Sequence, residues 1–194
     1  MQAENSLLAH DLLTLWFGEL SDSDYGQFRE IWFQQNNDLD ALITARFTES
    51  LTRAADGAFD SLADTATGTL ALVLLLDQVP RNIYRDRPNA FATDAKARAT
   101  AKAALDQGFD KDLLPVQRLF LYLPFMHSEE LDDQDLSVSL CNSLGPVFSG
   151  THSYAESHRD IIHRFGRFPH RNQVLGRVST AEEQVFLETE GRGF

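Results

Sequence analysis

Apolar residues recur along the chain three or four positions apart, and no stretch shows the strict alternation of a half-buried strand. That rhythm predicts an all-α protein of about eight helices. Leu8, Leu12, Leu15 and Trp16 share one side of a first helix over 7–17, which Ser6 is placed to cap. "FREIWFQQ" predicts one or two aromatic turns. Leu39, Leu42, Ile43, Phe47 and Leu51 mark an amphipathic helix over 38–56. Residues 67–78 are apolar on every side, so that helix is expected to be enclosed by others. Pro80 is expected to end it, because proline lacks a backbone donor and pushes Val79 out of helical space. An Ala-rich helix follows over 90–107. The next is capped by Asp112, carries Pro115 in its first turn and ends at Pro124. Further helices are expected over 128–144, with Ser128 as N-cap, and over 152–165. "TAEE" at 180–183 reads as a capping box for a short last helix. Gly18, Gly57, Gly108, Gly145 and Gly166 each follow a periodic segment, as left-handed caps do.

Successive helix pairs start roughly 40 residues apart, near the period of stacked helix hairpins. With no linker in sight, the expectation is a single all-helical domain over 1–194. The lone cysteine, Cys141, excludes an intrachain disulfide and reads as a small core residue. The longest apolar run, "LALVLLL", is far too short to span a bilayer, and the N-terminus has no basic signal region. The expectation is a soluble, cytoplasmic protein with no membrane contact.

Charge changes the picture more. The net charge is −12, and residues 1–66 carry twelve acids against three bases. A chain so acidic repels phosphate backbones, so nucleic acid is not expected as a partner. Residues 158–177 run the other way, with five arginines, three histidines and one aspartate. A basic island of that kind can attract a small anion.

Three segments place charge at the end of an apolar helix. In "LLLDQVPRN", Asp77 follows an enclosed run and needs a partner such as Arg81 or Asn82, either as a helix-end salt bridge or as a pocket wall. In "LPFMHSEE", His127 and Glu129 have an H-x-E spacing, but no further metal-ligand motif accompanies it, and first-turn acids also suit the helix dipole. No metal or cofactor is expected. In "RFGRFPHRN", Arg164, Arg167, His170, Arg171 and Asn172 crowd around Gly166 and Pro169. Arginine forks suit carboxylate and phosphate. His158, on the apolar face of the preceding helix, is either a core histidine or a ligand. "PRNIYR" at 80–85 echoes "PHRNQVLGR" at 169–177, as if one Pro-started turn were used twice.

"LLLDQVPRNIYR", "FATDAKA", "FLYLPFMHSE" and "HRDIIHRFGRFPHRNQVLGR", with "LLTLWFGEL" near the start, resemble the bacterial family called domain of unknown function 924. The likeness runs from residue 12 nearly to the end, with Val79 where a bulkier residue is expected. The resemblance implies stacked antiparallel helix hairpins in a tetratricopeptide-like, right-handed array. It implies no reaction and supplies no catalytic residues.

No reaction follows from the residues either. The functional expectation is spatial: Asp77, Arg81 and Asn82, His127 and Glu129, and Arg167, His170, Arg171 and Asn172 converge on a polar pocket for a small anion or an acidic peptide end. Two alternatives stand beside it. One is a hydrolase in which His127 or His170 is the base, Glu129 orients it, and the arginines stabilise negative charge. No nucleophile for it stands out, since Ser128 is better explained as a cap and Cys141 as core. The other is a scaffold for a protein partner, which requires an exposed apolar surface and arginines spent in internal pairs.

Overall fold

The structure is a computed structural model that describes residues 2–189, and within them lie eight α-helices, six short 3-10 turns and no strand. The helices are α1 (Gln2–Phe17), α2 (Asn37–Ala55), α3 (Ala66–Ile83), α4 (Asp94–Gln107), α5 (Pro115–Met126), α6 (Leu131–Ser143), α7 (Ser149–Phe165) and α8 (Ala181–Thr189). They belong to two compact units: Met1–Arg85 with Asn89–Pro124, and Asp86–Pro88 with Phe125–Phe194. No helix among the described residues is long and apolar enough to cross a membrane.

The first unit is built around α3. Every residue from Gly68 to Pro80 is buried, against α1, α2 and α4, as an all-round apolar helix requires. Thr65 caps the helix by accepting the Gly68 N–H at 3.1 Å. Gly68 must be glycine, because a Cβ there would run into the Leu62 carbonyl oxygen. Phe120 of α5 gathers the rings of Trp16, Phe17 and Trp32 at 5.5, 5.6 and 4.9 Å between centroids, all edge to face.

Pro80 does not end α3. The helix runs on to Ile83, and Val79 stays helical. The carbonyl that Pro80 cannot serve is that of Leu76, four residues back, and the Thr93 hydroxyl donates to it instead at 2.5 Å. Pro124 likewise lies inside α5. Three more expectations shift at helix starts. α1 begins at Gln2, so Ser6 lies within it and donates back to the Gln2 carbonyl at 3.0 Å. Asp112 closes a separate 3-10 turn, and Gln117 takes the Leu114 N–H ahead of α5 at 3.0 Å. The Ala-rich helix begins at Asp94, after a 3-10 turn over Pro88–Phe91.

In the second unit α6 packs on α7, and Ile161, Ile162, Phe168 and Phe186 form its apolar core. α6 starts at Leu131, not at Ser128. Ser128 still organises the approach: it accepts the Glu130 N–H at 3.1 Å and donates to Asp133 at 2.7 Å. The fully buried Gln134 closes the end of α5, donating from Nε2 to the carbonyls of Phe125, Met126 and Ser128 at 3.4, 2.7 and 2.6 Å. α7 ends on Gly166 in the left-handed region, φ +67°, which turns the chain into the basic segment. The capping box of α8 is formed as expected: Thr180 Oγ1 accepts the Glu183 N–H at 3.2 Å, and Glu183 accepts the Thr180 N–H at 2.7 Å.

Candidate functional site

The basic segment after α7 is a built structure. Pro169 opens a 3-10 turn over Pro169–Arg171, and its preset backbone angle suits that position. Pro80 sits mid-helix instead, so the two "PRN" echoes are different devices. Phe168, just ahead of the turn, is fully buried and is the hub. His158 meets its ring edge-on at 5.3 Å, His170 lies tilted against it at 5.4 Å, and the Arg171 guanidinium sits over it at 4.5 Å. Its backbone is held as well. The Phe168 N–H donates to Glu129 Oε1 at 2.8 Å, and Arg177 Nη2 donates to the Phe168 carbonyl at 3.0 Å.

Glu129 and Arg177 form a two-point fork at 2.7 and 3.0 Å. Burial alone would raise the Glu129 pKa, but the Arg177 fork, the Phe168 N–H and the charges of Arg177 and Arg171 hold it below the ordinary value. Arg167 makes a second fork, to the buried Glu183, at 2.6 and 2.8 Å. The same Glu183 takes the Asn172 amide at 3.3 Å. The Arg167 bond lowers its pKa first, and with the Thr180 N–H, the Arg167 charge and Asn172 outweighs burial to reach about 2. Asn172 also donates to Ser179 Oγ at 3.0 Å, and Arg164 pairs with Glu182 at 2.9 Å. The chemistry available to Arg167, Asn172 and Glu129 is therefore largely spent on holding the segment in shape.

The histidines differ. His158 is buried, and its Nδ1–H donates to the Tyr154 carbonyl one turn back at 2.9 Å, so Nε2 carries the lone pair. Burial first, then repulsion from His127, His170 and Arg171, pushes its pKa down from 6.5 to about 3 against the help of that bond. His170 falls from 6.5 to about 4, by burial and then by Arg171, Arg177 and His127, with Glu129 opposing. Its Nδ1 is buried and meets no hydrogen-bond partner among the described residues. Arg171 donates to the His127 carbonyl at 3.0 Å. Three imidazoles and one guanidinium thus share one neighbourhood, with two imidazoles kept neutral at pH 7.

Asp77, Arg81 and Asn82 belong to the first unit, where they close the end of α3. Asp77 is fully buried, 3.2 Å from Arg81 of its own helix. Arg81 also forks Asp94 at the start of α4, at 2.9 and 3.1 Å, and Asn82 donates to the Gln78 carbonyl at 2.9 Å.

The structure adds Phe168, Arg177 and Glu183, which sequence reasoning did not place in the site. Glu183 was legible only as a helix cap, and its second role toward Arg167 appears only when α8 folds back on the turn. Among the described residues no group of three or more His, Cys, Asp or Glu is arranged to hold a metal ion.

Residues 12–191 match the model of a family described as bacterial protein of unknown function, DUF924. The chain belongs to that family. A solved structure of another protein of unknown function, ATU0120 from Agrobacterium tumefaciens, is similar to this DUF924 member at 38% identity. The likeness covers 95% of this chain and 98% of that one, with a TM-score of 0.84. No curated protein matches.

Proposed function

We propose that the second unit binds a small anion, a carboxylate or a phosphate, beside His170 and Arg171. One observation carries the reading: the buried Nδ1 of His170 faces no hydrogen-bond partner within a cluster of imidazoles and a guanidinium. A buried polar nitrogen left unserved costs free energy, and a bound acceptor would relieve it. His170 is only half-buried as a residue, so the site lies near solvent.

The mode of binding follows from the charges. In the empty cluster the imidazoles stay neutral, first because they are buried and then because a proton there would face Arg171 and its histidine neighbours. An anion reverses that balance and raises their pKa, so binding takes up a proton and tightens as pH falls from 7.5 towards 6. The hydrolase alternative gains no such support. It needs Glu129 to orient an imidazole, and the Arg177 fork with the Phe168 N–H already engages both of its oxygens.

The test is a thermal-shift and calorimetric titration with inorganic phosphate, sulfate and citrate at both pH values. A ligand at ~100 times its Kd should add ~2.7 kcal/mol of stability. His170→Asn should abolish the shift, and circular dichroism of the ligand-free variant establishes that it folds, since the replaced ring also packs on Phe168. A shift that survives in His170→Asn, or binding that weakens as pH falls, would refute the proposal.

A further inference from the structure

A second surface lies in the first unit, on the segment between α1 and α2. That segment is firmly anchored. Gln117 of α5 donates to the Tyr25 hydroxyl at 3.1 Å, and Trp32 donates from Nε1 to the Trp16 carbonyl at 2.9 Å. Trp32 packs inward on Phe17 and Phe120 at 5.7 and 4.9 Å. Its neighbours stay partly in solvent. Phe28, Ile31 and Phe33 are 46%, 41% and 53% exposed. Phe28 and Phe33 stack nearly parallel at 5.7 Å, and Phe33 stacks again on Phe120 at 6.1 Å. Two exposed phenylalanines are fixed side by side, with an exposed isoleucine between them in sequence, and exposed apolar surface of this kind marks contact sites.

The rim decides what fits. Glu19, Asp22, Glu30 and Asp38 are all exposed along the same stretch. Its arginine, Arg29, is already bound to Asp24 at 3.0 Å. A second copy of this chain would bring two such rims together, and like charges facing across an interface are costly. An anionic bilayer meets the same repulsion. A cationic partner gains on both counts, by burying the rings and by pairing with the carboxylates.

We infer that the Phe28–Ile31–Phe33 surface, with the exposed carboxylates of the same segment, docks a basic amphipathic helix of a partner protein, with apolar side chains on one face and Lys or Arg on the other. The rings supply contact area at little cost in side-chain entropy, and the carboxylates speed encounter and fix orientation. The inference is independent of the anion site, which lies in the other unit.

The probe is a synthetic helical peptide of leucines and lysines in amphipathic register, with a leucine–glutamate twin of the same pattern. Trp32 lies 5.9 Å from the Phe28 ring, so tryptophan fluorescence reports on the face directly. The lysine peptide should bind and perturb that signal, and added salt should weaken it. Phe28→Ser with Ile31→Ser should cost ~10-fold or more in Kd, as loss of a central anchor does. Glu30→Lys, a surface change that leaves the rings in place, should weaken the lysine peptide and not the glutamate twin. Circular dichroism of each variant establishes that it is folded. The inference is overturned if the glutamate twin binds as well as the lysine peptide, or if neither binds. It is equally overturned if anionic vesicles compete for the face, or if sedimentation shows a dimer that Phe28→Ser dissolves.

Discussion

Acid should loosen the second unit, and the size of the effect follows from two buried imidazoles. His158 and His170 keep pKa values of about 3 and about 4 in the folded chain, against an ordinary 6.5. The folded state therefore holds both neutral, while the unfolded chain takes up a proton at each below pH 6.5. Stability is full above that pH and falls as pH drops, until the folded groups protonate near 3 to 4. At pH 5 the unfolded imidazole is almost fully charged and the folded one is not. Each group then withdraws ~2 kcal/mol, fixed mainly by the unfolded value and barely sensitive to the folded one, so the pair costs ~4 kcal/mol between pH 7.5 and 5. Both tryptophans lie in the first unit, so fluorescence would not see this. Amide exchange in α7, followed by mass spectrometry in an anion-poor buffer, would. His158→Asn keeps an N–H near the Tyr154 carbonyl and removes the titration, so its loss over the interval should be about half that of the wild type. Equal losses in the two proteins would show that His158 is not held neutral by its surroundings.

Glu183 should act in a lower window. Its pKa is depressed to about 2, so its contribution is present above the ordinary value of 4.5 and fades as pH falls below it. Exchange protection in α8 should weaken over that window in the wild type, and Glu183→Gln should lack the step. Gln134→Leu leaves the carbonyls of Phe125, Met126 and Ser128 without their shared donor, which should cost ~1–3 kcal/mol and lower the melting point by ~2–4 °C for each kcal/mol. A melting point within a degree of wild type would contradict the capping role. Gly68→Ala should cost ~1–3 kcal/mol, because the new methyl meets a backbone oxygen and not a movable side chain. Urea titration followed by tryptophan fluorescence measures it.

The all-helical fold was readable because helical spacing is a local signal and the apolar stripes are long. The enclosed character of α3 was readable for the same reason: no polar residue interrupts it from Leu70 to Leu76. The two prolines were misread because their effect depends on what lies across from them. A lone proline ends a helix, but the Thr93 hydroxyl meets the carbonyl that Pro80 cannot serve, and that partner lies outside α3. The basic segment was legible as a cluster of charge at a helix end, and its internal pairing was not. Nothing local says that Glu183 would serve both its own helix and Arg167, or that Arg177 would reach back to Glu129. Phe168 went unnoticed because one phenylalanine among many carries no signal until the rings around it are in place.

The Thr93 hydroxyl has a consequence for the order in which the first unit assembles. Up to Leu76 the long central rod can coil from its own residues. Its closing turn relies on a hydroxyl supplied from just ahead of the next segment, so those last four residues should become protected only when that segment has arrived. Exchange at Arg81–Tyr84 should then keep pace with the Ala-rich stretch and lag behind Leu70–Leu75, making the proline a checkpoint between neighbours in the chain.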